Sequence, residues 1–331
     1  MNKKQTLKKN LTDKNRKRSN KNITTHEENK MKIIKTLSIL FHLLLVSTFL
    51  YAGAGTTGGV ILKESLGARS LAMGDAFTGV ASGPETIFWN PAGLADMADP
   101  EVSAMYFKEI AEMGLMSIQY AHPFADYGTA GIAIESFSAG EMELNYLDGT
   151  SRTVKAQQDF VLNLAYGQEI IESFSAGANL KYLSSTLAEA ESASTMTLDL
   201  GCLYNLPQIE GLSLGLTLQN LGGGMKYIEE EDPLSFTIRA GAAFTKELQN
   251  NALTVSADLN KPKELSTRFN LGAEYVFNQI MAIRAGYKFG YDVDSFTAGF
   301  GVKINRYNLD YAFAPKGDLG DNHRISLGVI F

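Results

Sequence analysis

Ser295-Phe-Thr-Ala-Gly-Phe-Gly-Val-Lys-Ile304, followed one residue later by Arg306-Tyr-Asn-Leu-Asp-Tyr-Ala-Phe313, decides the fold. In the first run Phe296, Ala298, Phe300, Val302 and Ile304 point one way, and Ser295, Thr297, Gly299, Gly301 and Lys303 the other. In the second, Tyr307, Leu309, Tyr311 and Phe313 oppose Arg306, Asn308, Asp310 and Ala312. Strict alternation of this kind makes a strand with one apolar and one polar face. The break at Asn305-Arg306 is short enough for a tight turn between antiparallel neighbours.

The same period of two runs outward in both directions. Phe269, Leu271, Ala273, Tyr275 and Phe277 oppose Arg268, Asn270, Gly272 and Glu274, and the chain ends with Ile325, Leu327, Val329 and Phe331 against Arg324, Ser326 and Gly328. About fourteen such segments are expected, near 102–108, 113–122, 127–139, 159–169, 173–186, 194–205, 211–220, 235–246, 252–259, 267–277, 280–289, 296–304, 307–314 and 323–331. Most have the roughly 10-residue length of a tilted strand crossing a bilayer. Connections after even-numbered strands are short and those after most odd ones longer, the longest being Gly140–Gln158. Outer-membrane barrels segregate their loops in this way, with the short turns periplasmic. The expected fold is all-β: a transmembrane antiparallel β-barrel of about 14 strands, with lipid against its apolar face.

Bulk properties narrow the function. A mean hydropathy of −0.08 rules out a bundle of transmembrane helices but not a barrel. Cys202 is the single cysteine and the 4 histidines are scattered, which leaves no disulfide framework and no expected metal site or other cofactor. The net charge of −6 hides a basic N-terminal stretch and a more acidic remainder. That balance disfavours nucleic acid as a partner.

The leader divides in two. Residues 1–30 are Lys- and Asn-rich and cannot build a core, as expected of an over-extended start ahead of Met31. Residues 31–54 form a signal peptide: Lys32 and Lys35, an apolar run from Leu37 to Leu50, and Ala52-Gly-Ala54 as the cleavage site. The polar face of the body carries Arg239, Asp258, Arg268, Glu274, Arg284, Lys288, Lys303, Asp310 and Arg324. Two interleaved signs at regular spacing make these candidate lumen-facing charges, because charges inside a closed barrel need partners.

Between leader and barrel lies the one compact, irregular stretch, residues 55–101. Gly67-Ala-Arg-Ser-Leu-Ala-Met-Gly-Asp-Ala-Phe77 has helical composition, with Gly67 and Gly74 as its ends. Asn90-Pro-Ala-Gly93 turns the chain towards the barrel, 102–331. The lumen is its natural burial site, as a hatch or plug. Arg69 and Asp75 are placed to pair with the lumen wall, and Phe77 and Trp89 to fill it. Gly67, Ala68, Gly74, Asn90, Pro91 and Gly93 set its backbone.

These residues resemble a known family. Gly67 to Phe77 followed by Trp89-Asn-Pro-Ala-Gly-Leu94 is similar to the N-terminal signature of the PorV/PorQ proteins, relatives of the FadL-type hydrophobic-compound transporters. Gln219-Asn-Leu-Gly222, Asp232-Pro-Leu234, Gly272-Ala-Glu-Tyr275, Arg284-Ala-Gly-Tyr287, Asp310-Tyr-Ala-Phe313 and His323-Arg-Ile-Ser-Leu327 follow in family order. Terminal Phe331 resembles the signal that outer-membrane barrels present to the barrel-assembly machinery. The resemblance implies an outer-membrane barrel without catalysis, moving hydrophobic small molecules or serving type IX secretion by docking secreted cargo proteins. Two alternatives compete with it. One is an enzyme on the barrel using Asp321, His323 and Ser326, which lack a nucleophile-elbow context. The other is a soluble periplasmic β-sandwich or adhesin.

Overall fold

A computed structural model describes residues 57–108, 113–293, 295–317 and 320–331. The signal-peptide and start-site expectations lie outside the described residues. Eighteen strands follow a short irregular segment. They are β1 (Glu101–Lys108), β2 (Gly114–Phe124), β3 (Gly128–Ser138), β4 (Glu141–Asn145), β5 (Ser151–Lys155), β6 (Gln157–Ile171), β7 (Phe174–Leu187), β8 (Glu191–Asn205) and β9 (Leu212–Leu221). The remainder are β10 (Gly224–Lys226), β11 (Glu231–Pro233), β12 (Thr237–Leu248), β13 (Asn251–Pro262), β14 (Arg268–Phe277), β15 (Met281–Phe289), β16 (Phe296–Ile304), β17 (Tyr307–Pro315) and β18 (Asp321–Ile330).

Fourteen of them close an antiparallel barrel, each pairing with its sequence neighbour, and β1 pairs with β18 to complete the ring. That seam runs from Glu101 opposite Ile330 to Lys108 opposite His323. Closure leaves no edge strand, and in hydrocarbon a barrel needs that because unpaired backbone groups have no water to bind. The other four strands form two hairpins, β4–β5 and β10–β11, inside long loops where sequence reading placed only irregular chain. Their strands of 5 and 3 residues are too short to show a period.

Outside and inside differ as the alternation requires. On β15, Met281, Ile283, Tyr287 and Phe289 are exposed outward while Ala282, Arg284 and Lys288 are buried inward. Exposed large apolar side chains occur on strands all round the barrel, among them Ile118, Ile134, Leu164, Leu200, Val255, Phe300 and Leu327. In water such a surface invites aggregation; in a bilayer it is the lipid-facing belt. Cys202 is a free thiol on the outward face of β8, beside Leu200.

The lumen is filled by the N-terminal segment. Thr57 and Gly58 begin at the long-loop end, where Gly58 bridges Leu234 and Thr57 hydrogen-bonds Glu264 at 3.1 Å. A short 3-10 turn, Val60–Lys63, leads into a helix at Ala68–Ala72, a second at Thr86–Trp89 and a 3-10 turn at Pro91–Asp96. The first helix is shorter than its composition predicts. It ends where Asp75 takes a left-handed backbone (φ 60°) and its N–H returns to the Ser70 carbonyl. The chain leaves at the short-turn end, where the Phe331 N–H donates to the Pro100 carbonyl.

Candidate functional site

The plug meets the wall over its whole length, with a different chemistry on each side. Against β12–β18 ion pairs stand among neutral hydrogen bonds such as Asn270 to the Gly74 carbonyl and Thr297 to the Ala72 carbonyl. Arg69 donates Nε and Nη2 to the two oxygens of Glu274, at 2.9 and 2.7 Å. Glu274 also accepts from Arg284 at 2.6 Å, and Arg284 reaches Asp310 at 2.6 Å. Four alternating charges thus run from plug to wall, each paired, with Glu274 and Arg284 buried at the centre and Arg69 and Asp310 partly buried at the ends, the condition under which buried ions are tolerated. Burial works against the charged form of Arg69, yet the Glu274 carboxylate outweighs it and holds the guanidinium pKa above its ordinary value.

Asp75 is fixed in the same manner, 2.5 Å from Lys288 and accepting from Ser65 at 2.5 Å. Burial pushes its pKa up, but Lys288 and Ser65 hold it below the usual carboxylate range. Asp258 accepts the backbone N–H groups of Phe77 and Thr78 at 3.0 and 2.9 Å, capping a turn of the plug from the wall. Arg324 is buried over Phe107, 4.3 Å from the ring, and donates to the Ser65 carbonyl. The Ala68 N–H donates to Ser326 at 3.0 Å.

Against β3–β9 the contacts are mainly neutral, apart from Asp159 of β6, which accepts from the Ile61 backbone N–H. Asn179 donates to the Ile87 carbonyl at 3.1 Å, Thr217 to Trp89 at 3.2 Å and Gln219 to Phe88 at 2.8 Å. Asn90 ties the plug together, donating to the carbonyls of Thr78 and Cys202 and accepting from Ala92. Ile87 and Leu94 pack on Ala121, Ala133 and Ala165. Backbone meets backbone here: a Cβ on Gly177 would stand 2.4 Å from the Pro91 carbonyl carbon.

Of the anticipated wall charges, Asp258, Glu274, Arg284, Lys288 and Arg324 are buried inward, and Arg284 and Glu274 join Asp310 in one network. Arg239 is half-buried over Trp89, 4.7 Å from the ring, and Arg268 lies 4.2 Å over Tyr291. Lys303 sits exposed at the short-turn rim. Gly67, Ala68, Gly74, Phe77, Trp89, Asn90, Pro91 and Gly93 all lie in the plug, where Phe77 and Trp89 meet edge to face. Phe331 is exposed beyond β18. Asp321, His323 and Ser326 are not brought together. His323 faces outward, 2.7 Å from the Tyr311 hydroxyl, while Ser326 faces the plug.

Sequence reading missed the charges of β3, β7 and β8. Lys181 pairs with Asp199 at 2.7 Å, and both bind Asn220, where the β8–β9 register shifts and Asn220 takes a φ of 59°. Glu135 accepts from Asn163 at 2.7 Å and has one oxygen with no partner. Their signal was diluted because the inward positions of these strands also carry Ala133, Phe137 and Leu183, packed on the plug or its surroundings.

Beneath the long-loop mouth the two chemistries meet around a cavity of about 260 Å³. Ile61, Leu62, Leu66, Phe88 and Trp89 form its apolar side. Lys181, Arg239, Arg268, Glu135 and Asn260 are on the polar side. Arg239 donates Nε to Gln219 at 3.0 Å, but its Nη1 is buried with no partner, and Asn260 Oδ1 is likewise unpartnered. The lining is more polar than apolar, but it brings unpaired polar groups together beside an apolar wall in a concave space, as small-molecule sites do.

The family model for the type IX secretion system protein PorV matches residues 53–266, well over half of the chain. The chain belongs to the PorV family. The match spans the plug and the barrel through β13, and β14–β18 complete the ring beyond it. Among curated protein sequences none matches. Among solved structures, the Pseudomonas putida toluene transporter TodX is similar at 13% identity and TM-score 0.55, over 85% of this chain and 98% of that one. The CymD monoaromatic hydrocarbon channel is similar at 13% identity and TM-score 0.55, over 81% of this chain and 98% of that one. A Pseudomonas aeruginosa FadL homologue follows at 10% identity and TM-score 0.48, over 81% and 98%. At such identities the likeness is one of fold. This PorV-family chain is an outer-membrane β-barrel sharing its fold with the TodX and CymD channels, with the lumen occupied by its own N-terminal segment.

Proposed function

We propose that this PorV-family barrel works closed and without catalysis, as a docking barrel for cargo of type IX secretion. The observation that carries this reading is the plug's attachment. Ion pairs on one side and close backbone contact on both hold it from Ser65 to Asp96, so a docked cargo would meet a fixed surface and not an open channel. Residues 31–54 act as the export signal, cleaved near Ala54, and Phe331 with β18 is read by the barrel-assembly machinery. Outer-membrane lipid surrounds the belt.

The test is in cells. Removing the protein should leave cargo bearing the secretion signal inside the envelope, and cargo should copurify with the tagged barrel. Normal secretion in the deletion strain sinks the docking role.

The cavity beneath the mouth favours a second reading, uptake of a hydrophobic molecule with a hydrogen-bond acceptor at one end, met by Arg239 Nη1. Mass spectrometry of the purified barrel separates the two. Uptake predicts a copurified lipid-like compound whose amount falls when Arg239 is replaced by Met.

A further inference from the structure

At the short-turn end two adjacent cavities lie between the plug and the barrel seam. One, of about 210 Å³, is lined by Arg69, Ser82, Glu85, Glu101, Lys303 and Asp310, with Asn308 and Ser103 between them. The other, of about 160 Å³, shares Ser82, Gly83, Glu101 and Ile330 with it and adds Asp96 and Asp99 nearer the rim. A path inward from that rim passes mostly carboxylates.

Most of the charges it passes are already committed. Arg69 is held by Glu274, and Asp310 by Arg284. Glu101 accepts from Asn308 at a long 3.4 Å. Glu85 differs from all of them. It is 8% exposed, and its Oε2 is buried with no hydrogen-bond partner. The carboxyl group lies against Gly67, where a Cβ would stand 2.3 Å from Oε2, so the glycine keeps room for it. A desolvated carboxylate beside Asp310 and Glu101 is unfavourable unless a cation or a proton reaches it.

We propose that this pocket binds a small organic cation, an alkylammonium or guanidinium group, entering from the short-turn side with Glu85 as its charge partner. Glu101 and Asp310 flank it, and Ser82, Ser103 and Asn308 supply neutral acceptors. A bare metal ion fits less well, because among the described residues no three acidic, His or Cys side chains are grouped to hold one. The volume suits a short aliphatic amine.

Proton linkage follows from the same geometry. Burial, with Asp310 adding repulsion, pushes the Glu85 pKa up to about 8, so the empty site holds a proton at neutral pH. An entering cation displaces that proton, and binding therefore strengthens as pH rises from about 6 to about 8. The other charged groups around Glu85 are Asp310 from β17, Glu101 from β1, Arg284 from β15, Lys303 from β16 and Arg69 of the plug.

The experiment is calorimetric titration of the purified, detergent-solubilised barrel with 1,4-diaminobutane. Sodium chloride at matched ionic strength is the reference. Saturable binding is expected, tighter at pH 8 than at pH 6. Glu85→Gln should weaken it by about tenfold or more, and Lys303→Gln, which removes a competing cation, should tighten it. Heat no greater than the salt reference, or equal affinity in Glu85→Gln, overturns the proposal. If Glu85→Gln fails to reach the folded, heat-modifiable form, Lys303→Gln decides, and unchanged or weaker binding there overturns it too.

Discussion

The two sides of the lumen hold the same plug by different means. Towards β12–β18 the wall offers ions: Glu274 to Arg69, Lys288 to Asp75, Asp258 to two backbone N–H groups. Towards β3–β9 it offers mainly neutral amides and hydroxyls, and on both sides wall glycines let the backbones come close. Charge-assisted bonds are directional and hard to break, since separating one leaves a desolvated ion. Neutral bonds and apolar contacts are individually weaker and reform after small displacements. The charged side therefore fixes where the plug sits, and glycines on both sides, Gly286 and Gly177 among them, let it fit closely.

The strongest way to break the comparison is to remove the plug itself. Deleting residues 67–94 from a correctly inserted barrel should raise single-channel conductance from near zero to a stable open level. An unchanged conductance would mean that another part of the chain blocks the lumen.

Closing the gap comes next. Gly286→Val on the charged side and Gly177→Val on the neutral side both drive a side chain into plug backbone, since a Cβ would already lie 2.1 Å from Gly74 N and 2.4 Å from the Pro91 carbonyl carbon. Both should prevent the heat-modifiable form in refolding gels. If only one does, the close fit is confined to that side.

Polar substitutions then separate the two mechanisms. Glu274→Gln leaves Arg69 and Arg284 without their shared carboxylate and should cost about 3–5 kcal/mol in urea unfolding. Asn179→Ala removes a neutral bond to Ile87 and should cost about 1 kcal/mol. Equal losses would erase the distinction between the sides.

The smallest effect is a dependence on pH. The Glu85 pKa is raised from 4.5 to about 8, so the folded protein keeps a proton that the unfolded chain has released. Stability from this group is complete below about pH 4.5 and is lost as pH rises towards 8. Glu85→Gln should match the parent in thermal melts at pH 4.5 and melt a few degrees higher at pH 8. A higher melt at the acidic end would contradict the sign.

The barrel was legible in the sequence because its evidence is local and repeated. Alternation such as Phe296 to Ile304 recurs in most of the long strands, and short turns fall on one side. The plug was legible as a location, from its place between leader and barrel and from Asn90-Pro91. The cavities were not. Arg239 and Asn260 face each other across the β12–β13 hairpin, but Leu62, Phe88 and Lys181 join them only once the barrel has closed on the segment Ile61–Leu66, which carries no period of its own. Glu85 gave no signal either, because its isolation depends on Gly67, eighteen positions earlier, and on Asp310, at the far end of the chain.

One feature of the path has a topological outcome. Thr57 lies at the long-loop mouth, whereas β1 starts at the opposite rim, so the polypeptide passes once through the ring before the ring is built from its own continuation. The β1–β18 seam is then the clasp of a threaded eye. A seam zipped before Gly58 has reached Leu234 would close around an unfilled lumen, which the segment would then have to enter from the short-turn rim. A reporter fused ahead of Thr57 crosses to the long-loop side when the segment threads, and timing that crossing against seam closure orders the two events.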